Sequence, residues 1–312
     1  MPRPRSKRNT GQIFLYALSF LVVLSMALGY ALISAPPPTS APQPTSPAGT
    51  QPPGATPRPT AQASRTASPA PSITPLPLPA RATPDPAATA YSFAVIGDNS
   101  GNLPVYTALL KQIAEDGNSF VLHLGNLVTD GTAAEFQGWR ETLAGFALPL
   151  YPIPGNRDAN QGSLANYLAF SGAPAAHYSF DRGRAHFALV DSSREYLTAE
   201  ESAWLDADLA ATQKPVKIVA IHYPPFDPRG SNQVMSMGNQ AFMSLMRKRG
   251  VKIVLSGHIH TYDQTNRDGV TYIISGGGGA ELNRAEADGG FYHYVQVRVN
   301  GTDIQTEVRR LK

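Results

Sequence analysis

Polar side chains of the types that bind metal ions follow five short apolar runs of the sequence. They are Asp98, Asn126, Asn156, His222, His258 and His260. The apolar runs are rich in β-branched and aromatic residues and show little polar alternation, a pattern typical of strands buried on both faces. Ligands of open α/β sheets bind beyond the carboxyl ends of the strands, so we expect these side chains to meet at one edge. The sequence therefore predicts a metal site.

Each of these residues also has a simpler interpretation. A lone Asp or Asn after a strand usually forms a turn, and a lone histidine often only hydrogen-bonds the backbone. The pair in "GHIH" (257–260) is the stronger indication, although a turn can also splay two such histidines apart. The combination of five strand ends, rather than any one residue, favours a metal site over a set of turns. We expect structural roles for four other histidines, which are His123, His177, His186 and His293.

The same apolar runs and their connections predict an α/β domain. Strands are expected at 91–97, 120–125, 148–155, 216–221 and 251–257. A capping box of Thr198 and Glu201 opens a helix whose expected inward face includes Ala199, Ala203 and Leu205, and a second helix covers 239–250 and stops at Gly250. Segments 177–191 and 291–310 read as hairpins, which makes the sheet arrangement mixed. The run "GGGG" (276–279) lacks the lysine of a phosphate-binding loop and predicts a tight backbone passage near the site.

The front of the chain has a different composition. Residues 13–34 form a run of 22 without charge, long enough to span a bilayer, and four basic residues in the tail 1–12 place the N-terminus in the cytoplasm. Residues 35–90 are rich in Pro, Ala, Ser and Thr, and 17 of the chain's 28 prolines lie within 36–90, so we expect a disordered linker. These features predict a single-pass plasma-membrane protein with its folded domain, 91–312, outside. Cleavage of a signal peptide, followed by secretion, is the alternative.

Charge and cysteine content exclude several classes of function. The segment before residue 91 holds seven of the 26 basic and one of the 23 acidic residues, which leaves 19 basic and 22 acidic residues in the folded part. A net charge of −3 gives no support to nucleic-acid binding. The chain has no cysteine, so thiolate nucleophiles and zinc–thiolate sites are excluded. A metal must be bound by His, Asn and Asp.

The order of these motifs resembles that of the calcineurin-like metallophosphoesterases, which include purple acid phosphatases and cyclic-nucleotide phosphodiesterases. The family pattern is D-x-H, G-D-x-x-D, G-N-H-D, a lone H and G-H-x-H, and the resemblance covers about residues 92–300. The corresponding segments are "GDNS" (97–100), "GNLVT" (125–129), "GNRD" (155–158), "IHYPP" (221–225) and "GHIH" (257–260). The resemblance implies a four-layer α/β/β/α sandwich of two mixed sheets. It also implies two metal ions that share the Asp of the second motif and activate a water molecule for attack on phosphorus.

The chain departs from this pattern at Ser100, Asn126, Thr129 and Arg157, which stand where the family has His, the bridging Asp, a second Asp and His. By resemblance, one ion would be bound by Asn156, His222, His258 and the bridge, and the other would keep only Asp98 and His260. An amide bridges two cations poorly, and two dications without a shared anion repel each other. Asp130 is a poor substitute because neighbouring turn residues seldom point the same way. We therefore expect one divalent ion, Mn, Fe or Zn, rather than two.

Arg157 suggests a role in binding substrate. Arginine is no general acid, but its guanidinium grips a phosphate through two parallel hydrogen bonds. A surface arginine paired with an acid is the simpler interpretation. The resulting hypothesis is a metal-dependent hydrolase of small phosphomonoesters or phosphodiesters, weak or specialised, with Arg157 as a catalytic residue. The alternative is a catalytically inactive phosphate-binding or ligand-binding domain of the same fold.

Overall fold

Two β-sheets packed face to face organise residues 87–312, the part of the chain that the computed structural model describes. The predicted cytoplasmic tail and membrane span lie outside the described residues, as does the predicted linker as far as residue 86. None of the helices in residues 87–312 is long and apolar enough to cross a membrane.

The strands run along the chain as β1 (Ala90–Ile96), β2 (Val121–His123), β3 (Leu150–Pro152), β4 (Tyr178–Arg182), β5 (Ala185–Leu189), β6 (Val216–Ile221), β7 (Ile253–Ser256), β8 (Tyr262–Arg267), β9 (Val270–Ser275), β10 (His293–Asn300) and β11 (Asp303–Arg310). The first sheet has the order β11-β10-β1-β2-β3 and the second β4-β5-β6-β7-β9-β8. In the first sheet β1, β2 and β3 pair in parallel, and β10 and β11 add antiparallel strands at one side. In the second sheet a parallel centre, β5-β6-β7-β9, carries the antiparallel strands β4 and β8 at its two edges. Both sheets are therefore mixed, as the sequence predicted.

Within residues 87–312, five α-helices cover the outer faces of the sheets. They are α1 (Leu103–Glu115), α2 (Ala133–Thr142), α3 (Ala165–Phe170), α4 (Ala199–Ala211) and α5 (Asn239–Arg249). One apolar core lies between the sheets, where Phe93 of the first sheet meets Phe187 of the second edge to face at 5.4 Å. A second core joins the first sheet to α1–α3, and a third joins the second sheet to α4 and α5. The layers therefore follow the order helices, sheet, sheet, helices.

The predicted elements are observed with shorter boundaries. All five predicted strands form, and the prediction for 216–221 matches β6 (Val216–Ile221). Thr198 accepts the Glu201 N–H at the start of α4, so the predicted capping box is confirmed. The predicted inward face of this helix is partly wrong, because Leu205 is buried whereas Ala199 and Ala203 are exposed. Leu209, which the sequence also places on this inward face, is buried as predicted, and the helix buries Glu201 in addition.

Candidate metal centre

The predicted site residues all lie just beyond the carboxyl ends of strands. Asp98 and Asn126 follow β1 and β2, Asn156 follows β3, His222 follows β6, and His258 and His260 follow β7. Three of these positions adopt the left-handed backbone region that non-glycine residues avoid, with φ of 63° at Asp98, 56° at Asn126 and 67° at His258. Ser100, at φ 35°, is a fourth. Such backbone strain is concentrated at functional sites, where the surrounding structure has to hold it in place.

Asn126 lies at the centre of a hydrogen-bonded chain. Its Oδ1 accepts the backbone N–H of Arg157 at 2.9 Å, and its Nδ2 donates to Asp98 Oδ1 at 2.9 Å. A backbone N–H can only donate, so this contact fixes which end of the amide faces which partner. The amide thus donates directly to the Asp98 carboxylate.

The carboxylate of Asp98 is satisfied by protein donors. Besides the Asn126 amide, it accepts the His258 backbone N–H at Oδ2, over 2.8 Å. The side chain is fully buried, and burial raises the pKa of Asp98 well above its ordinary value although these two hydrogen bonds lower it. His260 Nε2 is 3.9 Å from Asp98 Oδ1. Asp98, Asn126 and His260 are therefore close together, and the Asn126 amide already donates to one oxygen of Asp98.

A different group of ligands surrounds His222. Its Nδ1 is 2.7 Å from the Leu124 carbonyl, which can only accept, so the ring proton lies on Nδ1 and Nε2 carries a lone pair. Nε2 faces Asn156 Oδ1 at 3.0 Å. Two hydrogen-bond acceptors at this distance repel each other. A cation bound by both would remove the repulsion, and so would a rotation of the Asn156 amide that turns its NH2 group toward Nε2. Burial lowers the pKa of His222 well below its ordinary value, which keeps the ring neutral and able to bind metal.

His258 completes this second group. Its ring centroid is 5.2 Å from that of His222, and its Nδ1 is buried without a hydrogen-bond partner. Burial, together with the positive charges of His260 and Arg157, lowers the pKa of His258 to about 4. Two neutral imidazole nitrogens and an amide oxygen suit one borderline divalent ion. Within residues 87–312 no group of three or more His, Cys, Asp or Glu side chains is placed to hold a metal, so the fit depends on Asn156.

Asp158 joins the two loops that carry Asn126 and Asn156. Its fully buried carboxylate accepts four backbone N–H groups at distances of 2.8–3.1 Å. The donors belong to Gly155, Asn126, Leu127 and Val128. Our sequence analysis did not single out this residue, although it is the last residue of "GNRD" and therefore lies in a motif that had been recognised.

Two further side chains hold the ligands in position. The Tyr223 ring packs on the His258 ring with centroids 3.7 Å apart, and this contact was not predicted. His123 is fully buried and lies 3.1 Å from Asn99 Oδ1, while the Asn99 amide donates to the Leu127 carbonyl. His123 thus supports the loop after β2 from behind, as the sequence suggested. His177 stacks on Trp204 at 4.6 Å and His293 contacts Ser275, so their predicted structural roles agree with their contacts.

At two glycines of the site, the loops pass so close to each other that no side chain would fit between them. The Cβ of any larger residue at Gly155 would collide with Asn126 Oδ1. At Gly278 it would collide with the Gly97 carbonyl, which accepts the Gly278 N–H at 2.9 Å. The predicted tight passage at 276–279 is therefore confirmed, and it lies directly beside the strand that ends in Asp98.

Arg157 lines an open cavity of about 520 Å³ beside these ligands. The other lining residues are Ser100, His260, Ala280, Glu281, Leu282 and Asn283. The Arg157 side chain is exposed and makes no ion pair or side-chain hydrogen bond with any residue in 87–312. The simpler interpretation, an arginine paired with a surface acid, is not what the structure shows.

A double sheet with amide, imidazole and carboxylate groups at its strand ends defines a class of metal-dependent hydrolase. The family model described as "Calcineurin-like phosphoesterase" matches residues 91–262, and the chain belongs to this family. Membership places the chain among the phosphoester hydrolases, whose members use divalent metals. What distinguishes this chain is the set of residues at the second metal position.

Relatives in the family have several activities. The chain is 27% identical over 180 residues to the 3',5'-cyclic-nucleotide phosphodiesterase alr5338 of Nostoc sp., covering 54% of this chain and 67% of that protein. It is 33% identical over 166 residues to purple acid phosphatase 23 of Arabidopsis thaliana, covering 45% of this chain and 36% of the relative. The chain thus spans only about a third of that phosphatase.

Solved structures confirm the fold. A purple acid phosphatase from yellow lupin seeds superimposes with a TM-score of 0.62 at 17% identity, over 72% of this chain and 52% of that one. GAP50, an anchor in the inner membrane complex of Plasmodium, superimposes with a TM-score of 0.59 at 14% identity, over 72% of this chain and 86% of that one. At these identities the likeness concerns the fold alone.

Proposed function

We propose that the chain hydrolyses small phosphate esters with one divalent ion, Mn, Fe or Zn, bound by Asn156, His222 and His258. The observation that carries this proposal is that His222, whose ring proton lies on Nδ1, presents the lone pair of Nε2 to the Asn156 amide 3.0 Å away. The unpartnered Nδ1 of His258 lies on the neighbouring ring. Asp98, Asn126 and His260 border the same site, where the Asn126 amide donates to Asp98 and His260 Nε2 lies 3.9 Å from the Asp98 carboxylate.

The protein's own residues bind and orient the substrate. An ion held by the three ligands would supply Lewis-acid activation of water and of the phosphoryl group. Arg157 holds two phosphate oxygens through its guanidinium and stabilises the charge that develops on them. It remains protonated, so the leaving group takes its proton from water.

The location of the domain is also a proposal. An uncleaved anchor at 13–34 with four basic residues before it supports a plasma-membrane protein whose catalytic domain faces outward. The substrate would then be an extracytoplasmic phosphate ester. Release after signal-peptide cleavage is the alternative location.

A catalytically inactive phosphate-binding domain is the second candidate function. Ser100, Asn126, Thr129 and Arg157 replace four residues of the family pattern, and the bond between Asn126 and Asp98 favours this alternative. Retention of both ligand histidines, with His222 in a metal-binding tautomer, favours the hydrolase.

Elemental analysis of the full-length chain after dialysis, paired with hydrolysis assays of an aryl monoester and an aryl diester, tests the proposal. We expect about one ion per chain and slow hydrolysis that requires it. His222→Ala and the exposed Asn156→Ala should both lose the ion, Asp98→Ala should lose less, and His177→Ala should match wild type. Two ions per chain would contradict the single-ion site, and one ion without hydrolysis would favour the inactive binder.

The alternatives also predict different effects of restoring the family residues. If the site has lost a second ion, Asn126→Asp, Ser100→His and Arg157→His should raise activity together and non-additively. If Arg157 is a working clamp, Arg157→Ala should abolish activity without changing metal content. Arg157→His should then be harmful, which distinguishes a specialised hydrolase from a decayed one.

A further inference from the structure

Two opposite charges face the cavity beside the metal ligands without neutralising each other. Arg157 and Glu281 both line this space of about 520 Å³, and both side chains are exposed. Neither makes an ion pair or side-chain hydrogen bond with any residue of the described chain. Charged side chains of opposite sign that line one cavity and remain unpaired are free to bind the two ends of a dipolar ligand.

His260 lies between these two charges. Its Nδ1 is 2.7 Å from the Glu281 carbonyl, which fixes the ring against the Glu281 backbone. Burial lowers the pKa of His260, the positive charge of Arg157 lowers it further, and the negative charge of Glu281 raises it. Both charges therefore act on the imidazole that borders the metal ligands, from within the same cavity.

The segment that carries Glu281 is bonded firmly to the rest of the site. The Ala280 N–H donates to the Asp98 carbonyl at 2.8 Å, and the Asn102 side chain donates to the Gly279 carbonyl at 2.8 Å. Arg284 pairs with the buried carboxylate of Asp227 on the loop after His222. The backbone that carries Glu281 is thus bonded close to Asp98, and the side chain extends from it into the cavity.

Ser100 adds a donor on the phosphate side of the cavity. Its Oγ is buried and has no hydrogen-bond partner among residues 87–312, although the residue borders the open cavity. The backbone of Ser100 is held in the left-handed region by a bond from its N–H to the Asn126 carbonyl at 3.0 Å. A buried hydroxyl without a partner is costly, and a ligand oxygen would satisfy it.

We propose that this cavity selects a zwitterionic phosphodiester, with its phosphate on Arg157 and Ser100 and an ammonium group on Glu281. A diester has two non-bridging oxygens and one negative charge, which match the two parallel N–H groups of a guanidinium. A monoester brings a second negative charge toward the carboxylates of Asp98 and Glu281, so it is disfavoured. Glu281 is then a specificity-determining residue and Ser100 a phosphate-binding residue.

The inference rests on the proposed function for the identity of the site, but its test needs no turnover. Binding of sn-glycero-3-phosphoethanolamine and of glycerophosphoglycerol, which carries hydroxyl groups in place of the ammonium, would be measured by calorimetry. The full-length chain would be used in detergent, with EDTA and low salt, because salt screens exposed charges. We expect the ammonium-bearing diester to bind about three- to fivefold more tightly, the scale of one exposed ion pair.

Variants separate the two ends of the ligand. Glu281→Gln should abolish the preference, weakening the ammonium-bearing diester and not weakening glycerophosphoglycerol, whereas Glu200→Gln, the loss of an exposed carboxylate on α4, should change the binding of neither diester. Arg157→Gln should weaken both diesters by about tenfold or more, and Ser100→Ala should weaken both less. Equal binding of the two diesters to wild type, or a preference that survives Glu281→Gln, would overturn the proposal. If the preference holds but no ester is hydrolysed with metal present, the proposed function fails while this inference stands.

Discussion

At the residue scale, Asn126 explains how this member of the family differs at its metal centre. Its amide accepts from the Arg157 backbone and donates to Asp98, two contacts that a carboxylate could not make together. A carboxylate at this position would face Asp98 at hydrogen-bond distance, and two like charges there repel unless a cation lies between them. The Asn126 amide therefore stabilises Asp98 through a hydrogen bond, whereas two carboxylates at these positions would need a shared cation to offset their repulsion.

Replacing Asn126 by Asp should make stability depend on metal. In EDTA the free energy of unfolding of the variant should be lower by about 1–3 kcal/mol. The buried carboxylate of Asp98 loses the amide that donates to it and faces a second carboxylate instead. Excess Mn²⁺ should recover most of this loss and raise metal content toward two ions. Urea denaturation with and without Mn²⁺ measures both effects.

Asn118→Asp is the matched control for this experiment. Asn118 is a buried amide that bonds the Ile113 carbonyl, and it plays no part in the site. Its replacement should destabilise equally with and without metal. If Asn126→Asp behaves in the same way, Asn126 is merely a structural amide.

Asp158 is predicted to be the residue on which the geometry of both ligand loops depends. Asparagine in its place would keep one acceptor oxygen and present its amide hydrogens to backbone donors. Asp158→Asn should lower the free energy of unfolding by about 2–4 kcal/mol, because several buried N–H groups lose their acceptor. It should also weaken metal binding, since Asn156 lies in one of these loops. A loss below about 0.5 kcal/mol, the ordinary range for surface changes, would contradict this role.

At the element scale, the buried strands were predictable and several connections were not. Short apolar runs located β1, β2, β3, β6 and β7, because strands buried on both faces leave a strong composition signal. The hairpin of β8 and β9 was missed although Asp268–Gly269 marks its turn. Its first strand is largely polar, so neither periodicity nor hydrophobicity identified it. The capping box of Thr132 and Glu135 likewise marks α2, which we had not predicted.

The site was predictable in its membership but not in its bonding. Chain order located all six polar residues because each follows a strand. Whether the Asn126 amide bonds Asp98 or a metal depends on the orientation of its side chain. The spacing of residues along the sequence does not determine that orientation. The supporting roles of Asp158 and Tyr223 depend on contacts between separate loops, and Glu281 lies in a segment without a motif. Such long-range contacts are the part of a site that one sequence leaves unspecified.

An ion triad centred on the buried ring of His186 joins the β4–β5 hairpin to α4. The two ring nitrogens of His186 are each 2.7 Å from a carboxylate, Asp181 on β4 and Asp208 on α4. Ser179 donates to Asp208, and Lys214 approaches Asp181 at 3.8 Å. Burial alone lowers the pKa of His186, but the hydrogen bonds and charges of Asp208 and Asp181 outweigh it, and the pKa is raised above 6.5.

Stability should fall as pH rises through the raised pKa of His186. The folded state binds this proton more tightly than the unfolded state, so the contribution is complete below the ordinary value of 6.5 and is lost above the folded value. Burial raises the pKa of Asp208, but hydrogen bonds from His186 and Ser179 lower it, and the net effect is a lowered pKa. The contribution of Asp208 to the stability of the fold is therefore lost only in acid. Thermal unfolding between pH 5 and 9 should show a decline that His186→Gln abolishes and His177→Gln preserves. An unchanged decline in His186→Gln would assign it to other groups.

At the scale of the whole molecule, the chain enters the fold far from the ligands. Ala90 starts β1 and pairs with Asn300 beside the turn of the last hairpin. The strand Ala90–Ile96 has 7 residues, about 23 Å at 3.3 Å each, and the ligands begin beyond its other end. Every predicted ligand thus lies after residue 97, and the described core already closes around β1. Ala88 and Thr89 still contact the domain, so a cut before residue 87 should leave the domain and its site intact.

The predicted anchor and orientation can be tested with this property of the fold. If residues 13–34 span the membrane with the N-terminus inside, a protease added to intact cells should cut within the proline-rich segment 36–90. The released fragment should begin in that segment, keep its metal content and bind the same diesters as the full-length chain. A cytoplasmic protein of the same cells should stay uncut, as the control for membrane integrity. Protection of the domain until the membrane is opened would show that the orientation is reversed, whereas domain already in the medium before protease is added would identify residues 13–34 as part of a cleaved signal peptide.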